Sequence, residues 1–321
     1  MPAQTVIAKG IAEKLGDPGA RLVYKRGSTE RIVDGLIPDH DVGVKMIIDA
    51  LVDPQYGALK SVSEIGAVGH RVVHGGDAYS GSVKVTDSVI SAIERFADLA
   101  PLHNPPNLAG LRGAMKALPD VPNVACFDTA FHQTLPEVAW RYALTYDLYD
   151  KYKIRRYGFH GTSHRYVARR AATIMGKSKT DANIITAHLG NGCSMAAVLA
   201  GKSVDTSMGL TPLEGIMMGT RSGDFDPAIL FYLADRGYTT AQLNNLCNKQ
   251  SGLLGISGQS NDMRNIVSLA KGGDARAQLA IDIFCYRIKK YIGAYTAVLG
   301  RVDALVFTGG IGENRPEIRA K

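Results

Sequence analysis

The stretch Ile184–Asp226, IITAHLGNGCSMAAVLAGKSVDTSMGLTPLEGIMMGTRSGDFD, decides how the rest of the chain is read. It opens on an apolar strand, Ile184–Ala187. His188-Leu189-Gly190 and an Asn191-Gly192 pair follow, then a second apolar strand around Met195–Leu199. Asn-Gly between apolar runs predicts a tight hairpin, because a type I′ turn needs positive φ at both central residues. The glycines flanking Asn191 leave the backbone bare, so an anionic group can approach its N–H groups. Downstream, Gly219-Thr220-Arg221-Ser222-Gly223 sets a planar cation between two flexible points. Together these segments read as half of a phosphate site. On these residues alone an ordinary hairpin with a surface arginine stays open as the alternative.

Working outward, 321 residues fit about two domains. A hydrophobic fraction of 45% suffices for a core, and interleaved charges argue against disorder. The net charge of +7 comes without any Lys/Arg run longer than two residues, which disfavours nucleic acid and fits an anionic small-molecule substrate. Cys126, Cys193, Cys247 and Cys285 are far apart, suggesting neither a zinc site nor a disulfide framework. Reduced thiols, no apolar run near membrane-spanning length and no leader pattern predict a soluble, cytoplasmic protein with no membrane partner.

Taken in order, Gln4–Ala8 reads as a strand, Lys9–Gly16 as a polar connection, and Arg21–Lys25 with Glu30–Val33 as a hairpin across Gly27-Ser28. Asp39–Val52 has helical spacing. Ile65–Val73 is an apolar strand that delivers Arg71 towards His74-Gly75-Gly76, where it is either a cleft residue or a surface charge. Val85–Leu99 is an amphipathic helix capped by Thr86 or Asp87, and Leu108–Leu118 is a helix entered through prolines. Asn123–Phe127 is a buried-type strand ending in Asp128, a frequent place for a functional acid and equally for a turn cap. The Tyr-rich Tyr142–Tyr152 segment marks a lobe boundary. His160 sits between glycines before a helix capped by Ser163 and closed by Gly176, a setting suited to anions.

Further on, Asp226–Arg236 and Thr240–Asn248 read as helices, Ser251–Gly258 as a Gly/Ser loop, and Asn261–Arg264 as a helix start. Asp274–Gly300 is a long helix with its stripe at Phe284, Ile288, Tyr291, Tyr295 and Val298. Ala304–Phe307 is a buried strand running into Gly309-Gly310-Ile311-Gly312-Glu313-Asn314. Strand, Gly-rich loop and helix start can accept a nucleotide, although this is neither a Walker A sequence nor a dinucleotide fingerprint. The pieces predict a phosphoryl-transfer enzyme with a non-P-loop nucleotide site.

Nine motifs then carry a specific resemblance: GHRVVHGG, APLHNPPN, FDTAFHQT, YGFHGTSH, HLGNG, TPLEG, MGTRSGDFDPA, SNDMR and FTGGIGEN, in this order from about Gly66 to Asn314. The chain resembles the acetate, propionate and butyrate kinase family, the acetate kinases most closely. The resemblance implies an α/β, two-lobed, actin-like and sugar-kinase-like (ribonuclease H-like) fold with a cleft between lobes, here divided as 1–150 and 151–321. It implies reversible phosphoryl transfer from ATP to a short carboxylate, with Mg²⁺, in a cytoplasmic homodimer. By its motifs Arg71 and Arg221 bind substrate and the moving phosphoryl group, Asp128 is the active-site carboxylate and His160 a transition-state stabiliser. His188, Leu189, Gly190, Asn191 and Gly192 hold phosphates. Asp262, Met263, Arg264 and Gly310, Ile311, Gly312, Glu313, Asn314 contact the nucleoside. Val73, Leu102, Phe159 and Pro212 form the acyl pocket.

Acetate is already ionised near neutral pH, so its attack needs no general base, and an orienting or metal-holding role for Asp128 is preferred to proton transfer. The family's opening Asn-x-Gly-Ser-Ser-Ser turn and its later Glu-bearing segment have no match here. The chain therefore reads as cut at both ends, with metal ligands unassigned, weakened Mg²⁺ and phosphate binding, and an exposed sheet edge in the first lobe. The competing expectations are a propionate or butyrate kinase, or a catalytically impaired nucleotide-binding fragment.

Overall fold

The computed structural model describes residues 5–101 and 103–321 as two compact units, each mixed α/β. The first runs up to Gly75 and resumes over Ser82–Cys126; the second comprises Gly76–Gly81 and Phe127–Lys321.

In the first unit, strands β1 (Lys9–Glu13), β2 (Arg21–Arg26) and β3 (Thr29–Asp34) form an antiparallel meander. The predicted hairpin over Gly27-Ser28 is present. The predicted opening strand is displaced: Thr5–Ala8 is irregular, the strand falls on the polar Lys9–Glu13, and Gln4 lies outside the described residues. Register against β2, with Ile11 opposite Val23, overrides the local apolar run. Alternation along β2 turns Leu22 and Tyr24 inward, where they pack with Ala50 of the helix His40–Leu51. Asp39 caps that helix by accepting from the Val42 N–H at 2.9 Å. A second sheet orders β4 (Val68–Val72), β6 (Asn123–Phe127) and β5 (Val83–Lys84) as β4-β6-β5. The helix Asp87–Arg95 stops short of the predicted Leu99, its last turn tightening into a 3₁₀ segment at Ala97–Leu99.

The second unit holds a four-stranded sheet, β10-β7-β8-β9, made of β7 (Asn183–Leu189), β8 (Cys193–Leu199), β9 (Lys202–Thr206) and β10 (Ala304–Thr308). β7, β8 and β9 are antiparallel, while β10 runs parallel to β7. Ile184, Ala196 and Val198 pack under Ala168 and Ala172 of the helix Gly161–Ile174. The long helix Ala275–Leu299 also packs on β7 and β8, and both strands are buried on both faces.

Four local expectations change here. The β7–β8 connection has three residues, Gly190–Gly192, and none has positive φ; the type I′ geometry appears instead at Ala200-Gly201 between β8 and β9, with φ of 50° and 79°. Ser251–Gly258 is no loop: Gly252–Ser257 is a helix closed by left-handed Gly258. The long helix buries Phe284, Ile288 and Tyr295, but Val298 is 50% exposed and Leu299 takes its place. β10 is the edge of its sheet and only partly buried.

Candidate active site

In the second unit a cavity of about 460 Å³ is lined by three separated segments: Gly190 and Asn191; Asn261, Asp262, Met263 and Arg264; Gly310, Ile311, Asn314 and Arg315. That volume suits a nucleotide-sized ligand. Sheet register makes the meeting possible, because Thr308 at the end of β10 lies opposite His188 at the end of β7. The close approach requires glycine: a Cβ on Gly309, at φ +79°, would sit 2.7 Å from the Leu189 carbonyl. The Gly-rich stretch is itself the helix Gly309–Asn314, not a loop ahead of one. Asn191 is fixed from two sides. Its Oδ1 accepts from Asn261 Nδ2 at 2.9 Å, and its carbonyl accepts from the Gly219 N–H at 2.9 Å. Any Cβ on Gly219 would lie 2.0 Å from that Oδ1. Asp262 caps the helix Met263–Lys271 and pairs with Arg264, whose hydrogen bonds hold its carboxyl below the usual range.

Of the thirteen residues expected at the nucleotide, eight line this cavity. Leu189 and Gly312 are buried behind the lining, and Glu313 accepts from Thr308 Oγ1 and the Gly309 N–H, closing the helix start. His188 and Gly192 belong to an adjoining cluster. Asn261 and Arg315, given no nucleotide contact beforehand, also line the cavity; Asn261 lies within the quoted SNDMR motif and Arg315 directly follows FTGGIGEN.

The adjoining cluster is built on histidines. His160 adopts φ +56°, strained for a side-chain-bearing residue, at the start of the helix Gly161–Ile174. It is the residue at the cap; Ser163, the expected cap, instead bonds His188 Nδ1 at 2.9 Å. The His160 and His188 rings stack at 4.2 Å. The His160 ring and Arg221 converge on Gly192: a Cβ there would lie 3.6 Å from His160 Nε2 and 3.5 Å from Arg221 Nη1. Arg221 is half-buried, and burial pushes its pKa down. Among the described residues no carboxylate pairs with it; its guanidinium reaches the Pro212 carbonyl at 3.4 Å and Met218 Sδ at 3.9 Å. A desolvated guanidinium beside a bare backbone is a strong anion receptor.

The loop carrying Pro212 is braced by a half-buried strut. Tyr142 donates to Glu214, Arg156 Nη2 pairs with Glu214 Oε1 at 2.5 Å, and Arg156 Nη1 donates to the Thr206 carbonyl at 2.8 Å. Burial and Glu214 push the Tyr142 phenol up, so it stays a donor. Asp128, 2% exposed, accepts the Gly161 N–H on its carbonyl at 2.9 Å, and a Cβ on Gly161 would come within 2.2 Å of that oxygen. Phe159 is buried, its carbonyl 3.1 Å from His132 Nε2.

Arg71 and Val73 belong to the first unit. Arg71 is exposed near the end of β4 and borders an apolar cavity of about 810 Å³ with Ile47, Ile48 and Leu118. Val73 is buried, its N–H donating to Asn107 Oδ1 at 3.0 Å. Asn104, fully buried, clamps His74 through its N–H and carbonyl at 3.1 and 3.0 Å. These two asparagines around Pro105-Pro106 hold the segment after β4; polar residues at a proline-fixed helix start were the available signal. Leu102 lies outside the described residues.

Comparison with known proteins places the chain in a family. A profile of the Acetokinase family matches residues 1–321. An acetate kinase from Thermotoga maritima is 54% identical over 321 residues, covering 99% of this chain and 80% of the relative. The crystal structure of Porphyromonas gingivalis acetate kinase superposes with a TM-score of 0.95 at 51% identity, covering 100% of this chain and 81% of that one. A propionate kinase from Francisella tularensis follows with a TM-score of 0.92 at 46% identity, over 98% and 79%. With its motifs, its fold and its full described length in agreement, the chain belongs to the acetokinase family.

Proposed function

We propose that this chain is an acetate kinase, transferring the γ-phosphoryl group of ATP to acetate and giving acetyl phosphate and ADP, reversibly. An acetate oxygen attacks phosphorus, the bond to the ADP oxygen breaks, and no proton changes hands. Such chemistry needs positioning and charge neutralisation around three equatorial oxygens. Arg221, half-buried with no carboxylate on it among the described residues and converging with His160 on the bare Gly192, is the observation that carries the reading. In this reading His160 and Arg221 receive the moving phosphoryl oxygens. Asn191 and the cavity over Asp262–Arg264 and Gly310–Asn314 hold the nucleotide in the second lobe, taken from sequence as 151–321.

The family resemblance assigns Arg71 to the carboxylate and Val73, Leu102, Phe159 and Pro212 to the methyl. Among the described residues no group of three metal-ligating side chains occurs. Mg²⁺ is commonly held by one or two carboxylates plus substrate phosphates, which suits a single buried Asp128. When bound with ATP, Mg²⁺ neutralises phosphate charge, and Asp128 is the side chain that would hold it. The chain works as a cytoplasmic homodimer in this reading, and Ile229, Phe231 and Tyr232 on the helix Ala228–Ala234 and Tyr286 on the long helix are exposed apolar side chains available to a second copy. Light scattering that returns the monomer mass at micromolar concentration would remove the dimer.

The test is hydroxamate trapping of acetyl phosphate. Arg221→Ala should lower kcat by roughly 10³-fold or more, as removal of a phosphoryl-binding arginine does, and Arg221→Lys should recover only part. A variant as fast as wild type removes Arg221 from the chemistry. Propionate is the second reading, favoured by the Francisella neighbour. A pocket separates one methylene by roughly 1–3 kcal/mol, so propionate should compete weakly with acetate.

A further inference from the structure

Behind His160 lies a chain of hydrogen bonds that the reading above does not use. His160 Nδ1 is 2.8 Å from Ser194 Oγ, which is 2.7 Å from His164 Nε2. His164 Nδ1 is 2.7 Å from Thr186 Oγ1, and Thr186 Oγ1 donates to the Ala196 carbonyl at 3.5 Å. Ser194, His164 and Thr186 are fully buried. A carbonyl only accepts, so the one direction that satisfies both Thr186 contacts has its hydroxyl donate to Ala196 and accept from His164, and the other bonds follow from that. Thr186, donating to Ala196, accepts from His164 Nδ1–H. Neutral His164 then has a bare Nε2, which accepts the Ser194 hydroxyl. Ser194 offers a lone pair to His160 and accepts its Nδ1–H. Burial and the neighbouring His132, His160 and His188 hold the His164 pKa well below the usual histidine range, in keeping with a neutral ring.

We infer that Ser194, with His164 and Thr186 behind it, is a positioning residue that keeps a proton on His160 Nδ1 and so makes Nε2, the nitrogen beside Gly192 and Arg221, the atom that titrates. His160 then donates from Nε2 only as the imidazolium, adding a positive charge beside Arg221 where the phosphoryl oxygens gather. A serine oxygen accepts from Nδ1–H in both forms of the ring and more strongly from the charged one, so the relay orients His160 and favours the charged ring. Among the described residues, the groups that face His160 include His188 stacked on it, His164 through Ser194 with His132 beyond, and Arg221 across Gly192, while Asp128 lies on the segment supporting Gly161. The role in turnover rests on the acetate kinase reading; the proton placement does not.

The experiment is long-range ¹H–¹⁵N NMR of the protein labelled at its eight histidines, assigned with a His160→Gln chain, together with kcat against pH. At pH 8 wild-type His160 should show a pyrrole-type Nδ1 and a pyridine-type Nε2. Ser194→Ala should move population to the Nε2–H tautomer and displace the basic limb of the kcat profile, where the imidazolium is lost. It should also lower kcat about tenfold, the scale of one lost hydrogen bond, with both KM values little changed. Ser194→Thr keeps the hydroxyl and should restore the profile. Thr186→Val cuts the chain at its far end and gives a second reading if Ser194→Ala folds poorly. A wild-type His160 protonated on Nε2, or tautomers and profile unchanged in Ser194→Ala, overturns the relay. Absence of acetate-dependent turnover in wild type would fail the function while leaving the tautomers to decide this inference.

Discussion

Burial drives the His132 imidazole down to about 4, against the Phe159 carbonyl, which favours the proton, and with Arg156 adding to the depression. A ring neutral in the folded state and free to charge in the unfolded one binds fewer protons folded, so stability rises with pH across the window between the two values. The contribution is full above about 6.5 and is lost as pH falls towards about 4. From pH 7 to pH 5, His132 alone should remove about 2 kcal/mol from the unfolding free energy, and His164 acts in the same direction. Urea titrations at the two pH values measure it; equal midpoints would mean that both rings titrate normally. At this scale the sequence was partly legible. Arg221, Asn191 and His160 stood out because glycines bracket them, and glycine marks close backbone approach. Ser194 and His164 did not, because a serine within an apolar strand and a histidine within a helix carry no local mark. Their role exists only through the pairing of β7 with β8 and the packing of a helix above them.

Among the elements, the two hairpins of the second sheet exchange the expected turn geometry. Asn191 is committed to Asn261 and Gly219, which holds its loop to three residues and keeps φ negative. The left-handed turn falls at Ala200-Gly201, where an alanine sits at φ +50°. Alanine in that region costs roughly 1–2 kcal/mol, and asparagine tolerates it better. Ala200→Asn should therefore stabilise the protein by roughly 0.5–1 kcal/mol, raising Tm by about 1–3 °C in a thermal scan. A lower Tm would show that the Ala200 methyl is needed by its neighbours. Long periodic elements were readable, as with the helix Ala275–Leu299, because summed amphipathicity outweighs local noise. Short glycine-rich ones were not. Gly252–Ser257 and Gly309–Asn314 are helices held by tertiary contacts that no propensity reveals.

For the whole molecule, the mixed α/β architecture followed from the family resemblance. The family followed from nine motifs spread along the chain, and the superposition at a TM-score of 0.95 agrees with both. The displaced first strand and the partly exposed β10 were not readable, because sheet order decides which strand lies at an edge and sheet order is a non-local property. A net charge of +7 on a chain that handles ATP and acetate fits attraction of anions rather than of nucleic acid.

The glycines beneath the site carry an implication for protein engineering. At Gly161 and Gly309 the space a methyl would need is already taken by main-chain oxygens of Asp128 and Leu189, which no rotamer change can move. Random libraries aimed at widening substrate scope would waste their diversity there. The productive codons are those of side chains resting on other side chains, such as Met218, whose Sδ lies 3.9 Å from Arg221 Nη1.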